Sequence, residues 1–390
     1  MQTILFLEWK SFGNAHMKQA FEKAGFTVDM QPFNEGDEDT RMSENLAAQL
    51  VSIIMSKKYE FVFSFNYYPV VAIACQACRV RYVSWIYDSP FIQMYSQTIT
   101  FDTNYVFIFD KGTYLDLKGR GVNTVYYLPM AAAVEYYDTK SPSEEIKKQF
   151  GADVTFVGAM YNEKRNNLYR HLENLDEYTK GYLEAVMQAQ KRIYGYNFLE
   201  KVLSKEIMDN VTKVCPLHEQ GDGFETLEWT FANYFLARKI TAMERMDIMK
   251  QLQERYEVHL FTNEKTPMLP KVKNWGRVDY YEQMPSIFKC GKIHLNITLR
   301  SILTGIPLRA FDIMGCGGFL ISNFQEDFLD YFVPDEDFVY YESYEDLISK
   351  IDYYLEHDGE REAIAQNGYQ KVKENHTYEK RVQEILAVIR

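Results

Sequence analysis

The chain has 390 residues, 46% hydrophobic and 15% aromatic, with 11 prolines, which excludes a disordered or collagen-like chain and supplies apolar material for more than one core. Its 43 Lys+Arg against 55 Asp+Glu leave a net charge of −12, so a phosphate backbone is repelled and nucleic acid is not an expected partner. Five cysteines, an odd number, fit a reducing compartment. The longest uncharged stretch, Phe61 to Cys78, is interrupted by Asn66, Pro69 and Gln76, and the N-terminus MQTILFLEWK has no basic leader segment. The expectation is a cytoplasmic α/β protein without a membrane span.

The predicted elements begin with a strand at Thr3–Leu7. A helix follows, carrying apolar residues at Met17, Ala20, Phe21 and Ala24, and then a strand at Phe26–Met30. That is a βαβ unit, which implies parallel pairing. Strands at Phe61–Phe65, Tyr82–Tyr87, Tyr105–Phe109 and Thr124–Leu128 complete a doubly wound domain over residues 1–130. A polar segment, 131–153, contains a short helix at Ser143–Phe150 and connects to a second domain at 154–377. This domain opens on Val154-Thr155-Phe156-Val157-Gly158 and carries an extra helical block at about 162–256, with an apolar stripe at Ile240, Met243, Met246, Met249 and Leu252. Its further strands are Val258–Phe261, Val272–Trp275, Lys292–Asn296, Phe319–Ser322 and Asp337–Tyr340. Helices at Tyr344–Glu356, Glu360–Glu374 and Tyr378–Arg390 close the chain. The fold class is α/β, with two Rossmann-like doubly wound domains facing a central cleft lined by the loops after their strands.

The most informative stretch runs from Asn296 to Gly318. Between Leu295 and Phe311 its only charged residues are Arg300 and Arg309. Pro307 suits the first turn of a helix that ends at the Gly315-Cys316-Gly317-Gly318 turn, and this puts Arg309 where the helix dipole disfavours a cation. A diphosphate at that N-terminus removes the conflict, and Asp312, one turn on, is then placed to accept from sugar hydroxyls. The bland alternative is an i, i+3 surface pair between Arg309 and Asp312. A second loop, Gly158 to Arg165, leads from a strand into a helix and allows close approach to a phosphate. Asp88, between the strand Tyr82–Tyr87 and Ser89-Pro90, is either a general base or the organiser of its own turn. His16 stands beside the loop after the first strand. Cys75 and Cys78 have no second pair and read as helix packing, and Asp335-Glu336-Asp337 reads as a solvated turn, so no metal site is expected.

These residues carry a family resemblance. Lys292–Asn296, the Gly305–Phe319 block GIPLRAFDIMGCGGF, Asn375-His376-Thr377-Tyr378 and Arg381 resemble the glycosyltransferase domain of the CgeB-like family, named for a spore maturation protein. Ser64-Phe65-Asn66, Val83 to Pro90, Phe107 to Lys111 and Tyr127-Leu128-Pro129 resemble the domain that precedes it, and Phe156-Val157-Gly158 followed by Arg165 also matches. The resemblance implies a metal-independent GT-B glycosyltransferase. It would hold a nucleotide-sugar donor, a UDP-sugar, on the C-terminal domain and take a protein or glycan acceptor, with no permanently bound cofactor. Arg309, assisted by Arg300 or Arg165, is expected at the diphosphate and Asp312 at the ribose. Gly158, Asn296, Thr298, Gly317 and Gly318 complete the donor side, and the final helix, 378–390, is expected to cross back to the N-terminal domain. Where related retaining enzymes carry a glutamate this chain has Thr304, so an inverting reaction with Asp88 or His16 as base stays open beside a retaining one. The alternatives are a nucleotide-sugar epimerase on the same fold, or an inactive sugar-binding or scaffold subunit.

Overall fold

The computed structural model describes residues 2–33, 39–162 and 167–389. The chain divides into two compact units, one made of Met1–Ala131, Glu219–Thr226 and His376–Arg390, the other of Ala132–His218 and Leu227–Asn375. Among the described residues no helix is long and apolar enough to cross a membrane.

The first unit is built on a six-stranded sheet of β1 (Gln2–Glu8), β2 (Phe26–Pro32), β3 (Phe61–Phe65), β4 (Arg81–Ile86), β5 (Asn104–Ile108) and β6 (Val125–Tyr127), ordered β2-β1-β3-β4-β5-β6. Every pairing is parallel, with Phe6 opposite both Met30 and Phe63. Strands buried on both faces are apolar at successive positions rather than at alternate ones, and β3 is buried at all five residues. Phe6, Phe21, Phe61, Phe63, Phe65 and Trp85 are sealed from solvent, and each contributes roughly 1.5–3 kcal/mol relative to an exposed side chain. The helices start where the sequence offers a cap: Ser43 accepts from Leu46 N ahead of Glu44–Met55, and Asp110 from Gly112 N ahead of Lys111–Gly119. The C-terminal helix Tyr378–Ile389 packs on the helix Asn14–Lys23 within this unit. Arg381 anchors it, donating to the carbonyls of Pro129 (2.8 Å) and Met130 (3.2 Å).

The second unit has β7 (Val154–Val157), β8 (Val258–Phe261), β9 (Lys273–Asn274), β10 (Ile293–Asn296), β11 (Leu320–Asn323) and β12 (Val339–Tyr341), ordered β12-β11-β10-β7-β8-β9 and parallel throughout. Val154, Leu260, Ile293 and Ile321 form its sheet core with Ile248, Met249 and Leu252 of the helix Ala237–Leu252.

Two expectations change in the block at 162–256. It is not helical throughout: residues 219–226 leave it and join the first unit, where Gly223 bridges Ser96. Arg41 holds them there through Asp222 (2.7 Å) and Glu225 (3.0 Å). The stripe of Ala237–Leu252 is also displaced. Its buried residues include Ile240, Thr241, Glu244, Arg245, Ile248 and Leu252, a 3.6-residue repeat, whereas Met243 and Met246 are only partly buried. Two charged residues therefore face inward.

Candidate functional site

In a doubly wound sheet the loops diverge where the strand order reverses, and a crevice opens at the carboxyl ends of the two strands on either side. In the first sheet these are β1 and β3, and in the second β7 and β10.

At the β1/β3 edge Trp9 donates its indole N–H to Phe65 O at 2.8 Å, and Asn14 donates to Trp9 O at 2.7 Å, tying the two loops together. Asn66, directly after β3, adopts φ 59°, a left-handed conformation that Asn tolerates better than most residues. Its buried side-chain oxygen accepts from the amides of Tyr87 (2.8 Å) and Asp88 (3.2 Å), and its NH2 donates to Asp88 Oδ2 at 2.8 Å. Asp88 is therefore part of a turn that is pinned from Asn66. Asn66 organises the turn through it, yet the residue is exposed on the carboxyl edge. His16 lies in the first turn of Asn14–Lys23, its ring 5.6 Å from that of Tyr378, and Tyr378 Oη is 2.7 Å from Tyr87 Oη. Partial burial lowers the His16 pKa, with Glu379 opposing the shift.

At the β7/β10 edge the central side chain is Arg245, 8% exposed. It donates through Nη1 to Ala159 O, in the loop after β7, and through Nη2 to Ile297 O, in the loop after β10. The rings of Phe156 and Tyr161 lie 5.1 and 4.9 Å from its guanidinium carbon. The next amides along both loops are also fixed: Glu264 accepts from Met160 N, and from Asn162 N at 3.0 Å, while Asn323 Oδ1 accepts from Thr298 N at 2.7 Å. Gly158 has little spare room, since a Cβ there would lie 3.2 Å from the Phe156 ring.

The expected donor residues separate in this structure. Arg309 is in the first turn of the helix Leu308–Gly315, which Pro307 precedes in extended conformation. Its side chain is 27% exposed, and Nη1 donates to Asp312 Oδ2 at 3.1 Å and to Met284 Sδ. Asn296 and Thr298 are at the carboxyl end of β10 but are buried and bonded to each other (2.9 Å), and Asn296 also donates to Ser322 Oγ (2.8 Å). They shape the loop. Arg165 lies outside the described residues.

Three expectations are corrected. Asp312 is not open to a ribose: it is fully buried, Tyr137 and Tyr280 donate to its Oδ1 at 2.7 and 2.9 Å, and burial raises its carboxyl pKa. Nor is its pairing with Arg309 a surface pair. Arg300 is committed elsewhere, four of its N–H groups going to both Glu244 oxygens (2.9 Å each), Ile193 O and Lys191 O. Glu244 is the buried partner that satisfies the charge, so Arg300 is a packing residue here. Gly317 and Gly318 precede β11 and so occupy the amino edge of the sheet, opposite the crevice. Gly318 N donates to Ile313 O and Gly317 N to Met314 O, both at 2.9 Å, a Schellman turn with Gly317 at φ +78°.

Sequence reasoning assigned no role to Arg245, Asn66, Glu264, Tyr137 or Tyr280, although Asn66 lies in a segment that carries the resemblance. A 3.6-residue count from Ile240 and Thr241 places Glu244 and Arg245 on the inner face, and an Asn ending a buried strand is a turn signal. Glu264, Tyr137 and Tyr280 act through long-range contacts that leave no local mark. Asp335 and Glu336 are exposed as a solvated turn requires, but Asp337 is buried, accepting from Val333 N (2.7 Å) and pairing with Lys371 (2.5 Å).

Residues 242–387 match a protein-family model described as glycosyl transferase-like. Among solved structures, the Anabaena protein Alr3699/HepE in complex with UDP-glucose is similar at 11% identity, over 100% of this chain and 99% of that one, with a TM-score of 0.60. Sucrose-phosphate synthase from Thermosynechococcus elongatus is similar at 10% identity over 100% and 98%, with a TM-score of 0.57. The UDP-forming α,α-trehalose-phosphate synthase from Burkholderia vietnamiensis is similar at 10% identity over 99% and 100%, with a TM-score of 0.54. No curated protein matches the chain. At such identities the likeness establishes the fold: the two parallel six-stranded sheets with flanking helices are those of GT-B proteins.

Proposed function

We propose that this chain is a glycosyltransferase moving a sugar from a nucleoside-diphosphate donor, a UDP-sugar, to a protein or glycan acceptor. The observation that carries the reading is the helix Leu308–Gly315, inside the region that matches the glycosyl transferase-like model and reached by the loop from the carboxyl end of β10. Its first turn holds a part-exposed arginine whose Nε and Nη2 have no partner among the described residues. A cation beside the first-turn N–H groups of Leu308 and Arg309 at one helix N-terminus suits a leaving diphosphate. The choice of UDP rests on the UDP and UDP-glucose complexes of the similar HepE protein.

In the proposed reaction the acceptor hydroxyl oxygen bonds to the anomeric carbon while the bond from that carbon to the β-phosphate oxygen breaks. The electron pair leaves with the diphosphate, whose growing charge Arg309 offsets. Asp88, held by Asn66, takes the hydroxyl proton; His16 is the alternative acceptor on the same edge. With arginine supplying the positive charge, no divalent ion is required, and EDTA is expected to leave turnover unchanged.

Thermal unfolding against UDP, UDP-glucose, UDP-N-acetylglucosamine and GDP-mannose, with and without EDTA, is the first test. A ligand at about 100 times its dissociation constant adds roughly 2.7 kcal/mol. A shift with uridine nucleotides alone, indifferent to EDTA, supports the reading. No shift with any of the four ligands overturns the donor assignment. Asp88→Asn should then lower turnover about a hundredfold or more without weakening UDP binding, and His16→Ala should do so only if His16 is the base.

A further inference from the structure

Arg245 has an unusual setting for a buried cation. Among the described residues no carboxylate pairs with it; Glu244 and Glu264 act on it only through space. Its Nε is buried without a partner. In a chain of net charge −12, most buried arginines are matched: Arg41 by Asp222 and Glu225, Arg300 by Glu244 and Arg361 by Asp358. Taking an unmatched charge out of water costs several kcal/mol, so a fold that keeps one has a use for it or a partner that arrives later.

The hydrogen bonds indicate which partner. In a trans peptide the C=O and the following N–H point in opposite directions. By accepting from Arg245, the carbonyls of Ala159 and Ile297 turn toward the guanidinium. The N–H groups of Met160 and Thr298 therefore point away from the guanidinium, to Glu264 and Asn323. Each loop at the switch point thus has one carbonyl oxygen, which would repel an anion, occupied by the same arginine.

We infer that Arg245 is the positioning residue of an anion-binding crevice at the carboxyl ends of β7 and β10, withdrawing two carbonyls from it and supplying unneutralised positive charge to a nucleoside diphosphate. This rests on the donor reading above and adds a residue that neither motif nor resemblance pointed to. A role in packing alone would treat charged and uncharged ligands alike, whereas a role in charge separates UDP from uridine.

The test is isothermal titration of UDP and of uridine into the full chain as wild type, Arg245→Met and Arg245→Lys, with unfolding curves for each. Arg245→Met should weaken UDP tenfold or more and uridine less than twofold, and Arg245→Lys, which keeps the charge, should hold the UDP-to-uridine affinity ratio within about threefold. Equal losses for both ligands in Arg245→Met, or undiminished UDP binding, overturns the inference while the donor reading stands. If Arg245→Met does not fold, a collapsed ratio in folded Arg245→Lys overturns it. Wild-type protein that binds no UDP removes both.

Discussion

Arg309 Nη1 lies 3.1 Å from Asp312 Oδ2, and the two residues differ sharply in exposure: the carboxylate is fully buried and the guanidinium is 27% exposed. The pair therefore has one member a ligand can reach. Arg309→Ala removes that cation and also strands the buried carboxylate, so turnover should fall more than tenfold and stability by about 3 kcal/mol. Arg309→Lys keeps a charge near the carboxylate and should recover most of the stability. Steady-state kinetics and denaturant unfolding check both, and wild-type turnover in Arg309→Ala would rule out its role at the diphosphate.

Tyr137 and Tyr280 share Asp312 Oδ1 as acceptor. Hydrogen bonds to a buried charge are worth about 1.5–3 kcal/mol, so Tyr137→Phe should cost about 2 kcal/mol. In an Asp312→Leu background the same change should cost less, about 1 kcal/mol or below, since the charged acceptor is gone while the Tyr280 hydroxyl, 3.2 Å away, remains. An undiminished cost in that background would mean that the hydroxyl works through something else.

Two buried histidines predict acid sensitivity. Burial lowers the pKa of His294 to about 4, and burial together with the charge of Arg381 lowers that of His376 to about 3. Arg381 has only donors, so the His376 Nδ1 it contacts must be unprotonated. Both rings are neutral when folded and take up protons on unfolding below the unfolded value near 6.5. The contribution is therefore complete above about pH 6.5 and is lost as pH falls, by about 3 kcal/mol for His294 between pH 6.5 and 4. His376→Gln should reduce the proton uptake on unfolding at pH 5 by about one, measured as the slope of unfolding free energy against pH. An unchanged slope would show that His376 does not titrate as described.

The two glycines after Leu308–Gly315 should respond differently to alanine. At Gly317 nothing lies within 4 Å of an added Cβ, so Gly317→Ala meets only the strain of a positive φ, about 1 kcal/mol. At Gly318 the Cβ would sit 2.8 Å from His294 Cδ2 and 2.9 Å from Phe288 O, and the cost should exceed that of Gly317→Ala by about 1–3 kcal/mol. Because both glycines are at the amino edge of β11, folded Gly317→Ala should bind UDP as wild type does. A tenfold loss of affinity in that variant would return Gly317 to the donor side.

The sequence by itself determined the two sheets. Runs such as Phe61–Phe65 and Val258–Phe261 are mostly apolar and buried at every position because parallel strands are covered on both faces, and the helices between them begin at capping residues that act within one turn. It also marked Arg309, since a cation in the first turn of a helix is a local conflict, and Asp88, since it follows a strand. Tertiary structure alone decided what the other charges do. Asp312 is buried by tyrosines 32 and 175 positions away, Arg300 is claimed by Glu244 56 positions earlier, and Arg245 spans loops 86 and 52 positions away. A charged side chain near a crevice has the same local sequence whether it faces a ligand or a buried partner, and only the long-range contacts that satisfy or leave open its hydrogen-bonding groups distinguish the two.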